Sequence, residues 1–272
     1  MPNKTAKEQL QQLMDSPEKD HSELGASSCE RWFNCTGSVI ASRGIHREAS
    51  VASIEGTVAH AVCEVALRRG ESCDSMVGST VANIAIDSVM VAHCNKYTRK
   101  FDDLKGTLSV ETYLDYSEYI PNGFGTLDAL VISVDGKHAD VIDFKYGTVK
   151  VIVDHNKQLM LYALGASLLH PRVEKFTLRI CQPRKGGWSS WRISKEDLLT
   201  FAEQARSKAL EALKPDAPRN AGNKQCQWCS LKYNCDTRDK KMREAPSGLF
   251  IPLIERNFSY GYTKGSCNRT RG

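Results

Sequence analysis

The stretch "DFKYG", residues 143–147, closes an apolar run with an acid and a lysine separated by one aromatic residue. On a β-strand, alternate side chains point to the same face, so Asp143 and Lys145 are predicted to lie side by side. A carboxylate and an ammonium group in this arrangement can bind a metal ion and assist a water molecule. Charges at strand ends are also common without any such role, and other residues must decide between the two interpretations.

A second acid is predicted to lie opposite Asp143. Asp135-Gly136 is a strong two-residue hairpin signal between two segments rich in β-branched residues. If these two residues form the turn, Asp128 faces Asp143, and both project from the same face as Lys145. Two directly opposed carboxylates repel each other and weaken a sheet, so the pattern predicts a cation between them. An all-oxygen pair suits a hard divalent cation.

Three further residues accompany this pair in a fixed order along the chain. His60 lies in "EGTVAHAVCE", and Gln158 and Tyr162 lie four residues apart, which places them on one face of a predicted helix. The ordered series "GTVAH", "GTLDALV", "VIDFKYG" and "QLMLYALG" resembles the RecB-like branch of the PD-(D/E)XK nuclease superfamily. The resemblance covers residues 56–162.

The resemblance implies a role for each residue of the series. The implied metal ligands are His60, Asp128, Asp143 and the backbone carbonyl of Phe144. Lys145 would orient or deprotonate the attacking water, and Mg²⁺ or Mn²⁺ would serve, because a histidine ligand lets softer ions compete. Gln158 and Tyr162 would touch DNA or hold the lysine, although an ordinary helix face explains them equally well. Three additional acids are candidates for a supporting role around the ligands: Glu55, Glu64 and Glu111.

The cysteines indicate a second metal centre. Without an export signal, clustered cysteines are read as metal ligands before disulfides. "CQWCSLKYNC" has a C-x2-C-x5-C arrangement, one ligand short of a tetrahedral site: Cys226, Cys229 and Cys235. The iron–sulfur nucleases of the RecB, AddB and CRISPR-associated type carry one more cysteine before the nuclease core. This resemblance implies Cys35 as the fourth ligand, with Cys29 close by, and a [4Fe-4S] cluster, with Zn²⁺ as the alternative.

Composition limits the class of protein. The chain has 272 residues, is 41% hydrophobic and has a mean hydropathy of -0.40. It has neither an apolar run of about 18 residues nor a secretory signal at its start, so we expect a cytoplasmic protein without a membrane partner. The net charge of +5 permits a polyanionic partner such as DNA.

The periodicity of the chain predicts an α/β fold. Helical spacing covers residues 56–69, about 81–101, 156–169 and 194–213, and β-like segments lie at 108–114, 125–134, 137–144 and 175–183. We therefore expect a mixed central β-sheet flanked by helices, which with the resemblance becomes a PD-(D/E)XK core whose N- and C-terminal segments are joined by the four-cysteine centre. The expected organisation is a polar segment over 1–24 (a frayed helix or a loose tail), one nuclease domain over 25–240 and a partly disordered tail over 241–272.

These motifs predict a metal-dependent DNA nuclease that acts as an exonuclease in recombination, repair or phage DNA metabolism. Compact forms of this type are frequent in phage genomes, which makes a phage origin, and thus the host cytoplasm, a hypothesis. The alternatives are a catalytically inactive DNA-binding module and a metal-stapled scaffold that binds a protein. The resemblance also allows a homo-oligomer or a recombination or replication partner, and it leaves endonuclease action and strand polarity open. Candidate contacts to the DNA backbone are Lys150, Arg184 and Lys185.

Overall fold

The computed structural model describes residues 4–16, 21–45 and 48–244. Numbered in chain order, the helices are α1 (Ala6–Met14), α2 (Cys29–Asn34), α3 (Ser38–Ala41), α4 (Val51–Arg69), α5 (Ser88–Thr98), α6 (Lys157–Leu169), α7 (Lys195–Ala212), α8 (Asn223–Gln227) and α9 (Asp236–Glu244). The strands are β1 (Thr80–Val81), β2 (Ile84–Ala85), β3 (Thr107–Asp115), β4 (Phe124–Ile132), β5 (His138–Phe144), β6 (Lys175–Gln182) and β7 (Gly187–Ser194). The predicted disordered tail lies outside the described residues from position 245 onward.

A mixed β-sheet forms the centre of the described chain. Its strand order is β3-β4-β5-β6-β7, and neighbouring strands are antiparallel except for β5 and β6, which are parallel. Parallel neighbours need a crossover connection, and α6 supplies it. Asn156 caps α6 by accepting a hydrogen bond from the Leu159 amide, and Ser194 caps α7 in the same way. The predicted mixed sheet with flanking helices is thus confirmed.

The β4–β5 hairpin has the predicted register but a wider turn. Ala129 pairs with Ile142, so paired positions have the spacing expected from Asp135-Gly136 at the centre. The Ser133 amide donates to the His138 carbonyl, which leaves four residues in the loop instead of the predicted two. The observed loop has one more residue on each side than the predicted turn. Because the extension is symmetric, the strand register is the same as predicted.

Helices bury both faces of the sheet in two hydrophobic cores. The first core contains residues of α2, α6 and α7 with alternate sheet residues such as Val141 and Leu178. The second contains residues of α1, α4 and α5 with the opposite sheet residues, such as Val131 and Ile142. Leu10 of α1 is fully buried in the second core, and Thr5 and Glu8 form a capping box. Within residues 1–24, for which a frayed helix or a loose tail was predicted, Ala6–Met14 is therefore a packed helix.

Two further element predictions need correction. The helix expected over about 81–101 begins only at Ser88, because Ala82 and Asn83 adopt left-handed conformations (φ +50° and +62°) and turn β1 into β2. Asp87 then caps α5. The strand β7 was not predicted, since this edge strand is largely exposed and its apolar residues do not alternate cleanly. In the part of the chain that the structure describes, no helix is both long and apolar enough to cross a membrane.

Candidate metal-dependent active site

His60 reaches the sheet from the middle of α4. Its Nδ1 lies 3.2 Å from Oδ1 of Asp128, and about a third of its side chain is exposed. The imidazole ring also meets the ring of Phe144 edge-on, with 5.2 Å between centroids. The helix thus brings a histidine from the first third of the chain to the hairpin.

Asp128 lies where β4 separates from β5. The regular pairing of the two strands ends at Ala129–Ile142, one residue before Asp128 would meet Asp143. There the Phe144 amide donates a 2.6 Å hydrogen bond to Oδ2 of Asp128. The predicted direct opposition of two aspartates in a regular ladder is therefore wrong in detail, because the Asp128 carboxylate has replaced a backbone acceptor.

The same position interrupts the alternation of β4. Leu127 packs in the core beside α6, whereas Ala129, two residues later, packs in the core beside α4. Residues two apart in a regular strand share a face, so the strand exchanges its faces at Asp128. On the neighbouring strand, Glu111 lies opposite Asp128 and has a left-handed backbone (φ +51°). Such a conformation costs a residue other than glycine about 1–2 kcal/mol.

The face exchange brings Glu111 into the site. One ligand atom each of His60, Glu111 and Asp128 can be chosen so that all three lie within 4.8 Å of one another. The two other supporting acids of the sequence analysis are placed differently. Glu64 forms an ion pair with Arg68 (2.8 Å), and Glu55 forms one with Arg184 (3.0 Å). The sequence does not distinguish the three acids from one another, whereas the tertiary structure does.

Asp143, Lys145 and Gln158 form a network beside this cluster. Lys145 Nζ lies 3.0 Å from Asp143 Oδ1 and donates to Gln158 Oε1 at 3.1 Å, while Gln158 Nε2 donates to the same Asp143 oxygen at 3.0 Å. Asp143 is 3% exposed. Its Oδ2 lies 2.9 Å from Lys145 Nζ in an ion pair, but the angle is unsuited to a hydrogen bond, and no described residue hydrogen-bonds to it. A buried carboxylate oxygen without a hydrogen bond calls for an explanation, and a bound cation is one.

Tyr162 lies one helical turn after Gln158 and borders the same site. It is buried, and a Cβ added at Gly125 would lie 3.1 Å from its ring. Burial, with the nearby Asp143 carboxylate, raises the pKa of Tyr162, and the hydrogen bond to Gln158 acts in the opposite direction. The tyrosine is therefore neutral and helps to enclose the Gln158 side of the site.

The charges of the site are strongly interdependent. Burial opposes the charged form of His60, but Asp128 outweighs it and raises the pKa of His60 to about 9. Burial also disfavours the Asp128 carboxylate, yet His60 and Lys145 hold its pKa below the usual range. For Asp143, burial dominates and raises the pKa despite Lys145. An imidazole must lose its second proton to bind a metal, so a cation at this site would replace a proton.

The loop that follows Lys145 is held by a residue that sequence reasoning missed. Gln182, buried at the end of β6, donates to the carbonyls of Gly147 and Val149 at 2.9 and 2.7 Å and accepts from the Val151 amide at 3.0 Å. The only sequence signal was a polar residue at the end of an apolar strand. Three hydrogen bonds from one side chain fix this loop, which carries the exposed Lys150.

Of the other predicted DNA contacts, Lys185 is exposed, and Arg184 takes part in internal interactions. The Arg184 guanidinium lies 4.6 Å from the centroid of the Tyr146 ring and pairs with Glu55. These contacts tie α4 to the strand end that carries Lys145. These contacts within the protein explain the position of Arg184 without a contact with DNA.

The four predicted centre cysteines line one small cavity. Cys35 lies in the loop after α2, and Cys226, Cys229 and Cys235 lie in the segment around α8. The Asn220 amide donates to Cys35 Sγ at 3.2 Å, and the Gly222 amide donates to Cys226 Sγ at 3.4 Å. Cys29, the cysteine that lies close to Cys35 in the sequence, is fully buried in the core beside α6.

Comparison with known proteins gives a family and two structural similarities. A family model described as "Protein of unknown function (DUF2800)" matches residues 21–250. The chain is similar to the crystal structure of SSO0001 (TM-score 0.41, 13% identity, covering 86% of this chain and 94% of that chain). It is also similar to that of a "Putative exonuclease" from Eubacterium rectale (TM-score 0.41, 8% identity, covering 80% and 94%). Because the family model spans most of its length, the chain belongs to the DUF2800 family.

Proposed function

We propose that this protein is a metal-dependent DNA nuclease that hydrolyses phosphodiester bonds and acts as an exonuclease. The observation that carries the proposal is the convergence of His60, Glu111 and Asp128 beside the buried Asp143–Lys145 pair. Three acids, a histidine and a lysine would be costly to gather in one partly buried place for stability alone. Their residue types and the burial of Asp143 fit a divalent cation and its reaction with a phosphate ester.

The proposed ligands are His60, Asp128, Asp143 and the Phe144 carbonyl, with Glu111 as an addition to the set implied by the sequence. Carboxylate and carbonyl oxygens suit Mg²⁺, and one imidazole nitrogen lets Mn²⁺ bind as well. A divalent cation held there would lower the pKa of a water molecule and stabilise negative charge on the phosphate oxygens. The Asp143 oxygen that lacks a hydrogen bond supports its place among the ligands.

Lys145 is proposed to act on the water nucleophile, and Gln158 is proposed to hold Lys145 in place. Lys145 would orient the water as an ammonium group, or take a proton from it as the neutral amine, and both roles require the side chain to stay in one position. Gln158 bridges Lys145 and Asp143 and restrains both side chains. Tyr162 closes the site on the α6 side. This arrangement supports the lysine-holding role for Gln158 over direct contact with DNA.

A four-cysteine centre is proposed to join the N-terminal part of the chain to its C-terminal segment. Its proposed ligands are Cys35, Cys226, Cys229 and Cys235, which line one cavity. Four cysteine thiolates suit both a [4Fe-4S] cluster and Zn²⁺. The resemblance to the iron–sulfur nucleases supports the cluster, with Zn²⁺ as the alternative.

Cleavage of end-labelled linear DNA and of circular DNA, with Mg²⁺ or Mn²⁺, tests the proposed function. We expect metal-dependent cleavage of the linear form and sparing of circles, as an exonuclease requires a DNA end. Lys145→Ala should lower the cleavage rate by about 10²–10⁴-fold, the usual contribution of a positioned acid–base group. Lys208→Ala on α7, which removes an exposed lysine far along the chain, is the control. A folded protein that cleaves neither substrate would instead support the inactive DNA-binding module.

The proposed role of Glu111 gives a separate prediction. Glu111→Gln keeps the size of the side chain but removes a negative charge, so binding of Mn²⁺, measured by titration calorimetry, should weaken by about 10–100-fold. Glu64→Gln is the matched control, since Glu64 is paired with Arg68 on α4. Equal losses in both variants would mean that only the overall charge matters, and Glu111 would not be a ligand.

A further inference from the structure

The segment around the cysteine centre, residues 219–244, presents two large aromatic side chains to solvent. Trp228 is 71% exposed and Tyr233 is 66% exposed. The other tryptophans of the chain are used differently, because Trp32 is fully buried and Trp188 and Trp191 pack partly against the two cores. Exposed aromatic rings cost free energy in water, so two of them in one short segment indicate a surface that binds something.

The same segment carries much of the positive charge of the protein. Residues 219–244 contain seven lysines and arginines and three acids, a net charge of +4, while the whole chain has +5. Four thiolates around a divalent cation would add two negative charges, and the segment would remain positive. Arg219 and Lys224 are exposed, and Lys232 Nζ lies 4.9 Å from the centroid of the Tyr233 ring. Exposed aromatic rings and positive charges are thus combined in one short segment.

The segment is connected to the candidate active site through α2. Helix α8 packs against α2, and α2 packs against α6. Glu30 of α2 forms a 2.9 Å ion pair with Lys157, whose ammonium group also lies 5.1 Å from the centroid of the Phe33 ring. Lys157 directly precedes Gln158, which holds Lys145. One short helix therefore touches both the aromatic segment and the turn of α6 that supports the site.

We propose that the segment 219–244 is a binding surface for single-stranded DNA, with Trp228 and Tyr233 as stacking platforms for unpaired bases. Stacking on exposed aromatic rings together with basic side chains along the backbone is how sequence-independent single-strand binders work. Bases in a duplex are already stacked on each other and cannot use such rings. The inference rests on the proposed DNA nuclease and extends it, since it names an unpaired strand as the form of DNA that the protein holds next to its active site.

Binding of a fluorescein-labelled oligothymidylate of about 20 nucleotides, without added divalent metal so that no cleavage occurs, tests this surface. Trp228→Ala and Tyr233→Ala should each weaken binding by about tenfold, whereas Trp228→Phe and Tyr233→Phe, which keep a ring, should recover most of it. The matched control is Tyr113→Ala, which removes an aromatic residue that is 60% exposed on β3. The metal content of each variant is compared with the parent, so that loss of the cysteine centre is not mistaken for loss of stacking.

Tryptophan fluorescence of the unaltered protein gives an independent measurement. The oligonucleotide should quench the emission of Trp228, and the quenching should disappear in Trp228→Phe. A parent protein whose emission is unchanged, or alanine variants that bind like the parent, would overturn the single-strand surface. An equal loss for a blunt duplex of the same length would show that the surface does not select unpaired bases.

The outcomes for this surface and for the nuclease are separable. If DNA is cleaved with Mg²⁺ or Mn²⁺ but the alanine variants bind the oligonucleotide normally, the surface is refuted and the nuclease stands. If the oligonucleotide binds through Trp228 but no substrate is cleaved with any divalent metal, the nuclease is refuted and the surface stands as part of a DNA-binding module.

Discussion

Replacing Asp143 with asparagine should reduce metal-dependent DNA cleavage by about 10³-fold or more, because a cation at the site contributes several kcal/mol to the reaction. Asparagine has nearly the same size but no charge, and its amide nitrogen would face Lys145 or the cation. Cleavage of end-labelled linear DNA, measured across a range of Mg²⁺ and Mn²⁺ concentrations, shows whether excess metal restores any activity. The expected result is a loss that saturating metal does not repair.

The stability of this variant should change little, by about 1 kcal/mol or less. The substitution removes the ion pair with Lys145, which is destabilising, but it also removes repulsion between Asp143 and Asp128, which is stabilising. Burial, and then the charge of Asp128, raise the pKa of Asp143, which means that the site destabilises the charged form of this carboxylate. Asparagine in its place accepts burial more easily than an anion does.

Asp140→Asn supplies the matched control on the same strand. Asp140 is also a buried carboxylate, 8% exposed, and it pairs with Arg179 at 2.6 Å. It is three residues from Asp143, an odd number, so it projects from the other face of β5. We expect this variant to lose stability because a partly buried arginine is left without its anion, yet to keep its cleavage rate. The assignment of Asp143 fails if both variants lose activity in proportion to their stability.

Removal of a centre cysteine should detach the C-terminal segment. Cys229 is the most buried of the four, at 8% exposure. Serine in its place leaves three thiolates, and metal centres of this kind contribute on the order of 10 kcal/mol to folding, so most of the bound metal and several kcal/mol of stability should be lost. The measurements are metal content, the visible absorption of an iron–sulfur cluster, and limited proteolysis between α7 and α8.

The contacts around the centre explain why proteolysis should be the sensitive measurement. The Gly37 amide donates to the Pro218 carbonyl, and the Asn220 side chain donates to the Asn34 carbonyl. A Cβ at Gly37 would lie 2.3 Å from the Ala217 carbonyl oxygen, so the chain after α7 lies directly on the loop after α2. These few polar contacts are too weak to hold the segment without the metal.

Cys181→Ser is the control for this second experiment. Cys181 is fully buried beneath the sheet, outside the cavity of the four cysteines, so the variant should keep its full metal content. A serine hydroxyl in that apolar place should destabilise the protein by about 1–3 kcal/mol. If Cys229→Ser retained its metal, or Cys181→Ser lost it, the proposed ligand set would be wrong. Elemental analysis of iron and zinc in the unaltered protein distinguishes the cluster from the single ion.

The sequence by itself determined the local elements near the site and the register of the hairpin. Asn156 and Ser194 are capping residues whose side chains accept hydrogen bonds from amides within the next turn. They therefore mark the start of a helix at their own position in the sequence. The Asp135-Gly136 centre located the hairpin even though its loop is wider than predicted, because a symmetric extension preserves every pair. Short-range chemistry of this kind depends on neighbours in the chain and is visible without the fold.

Only the tertiary structure decided how the acids are arranged. Strict alternation predicts that Leu127 and Ala129 share a face, and it gives Glu111 no special status. The exchange of faces at Asp128 is matched by the left-handed backbone of Glu111 on the adjacent strand, and His60 arrives from a helix some seventy residues earlier. A strained backbone persists only where surrounding contacts compensate for it. Those contacts come from three distant parts of the chain, which is why no local pattern could predict them.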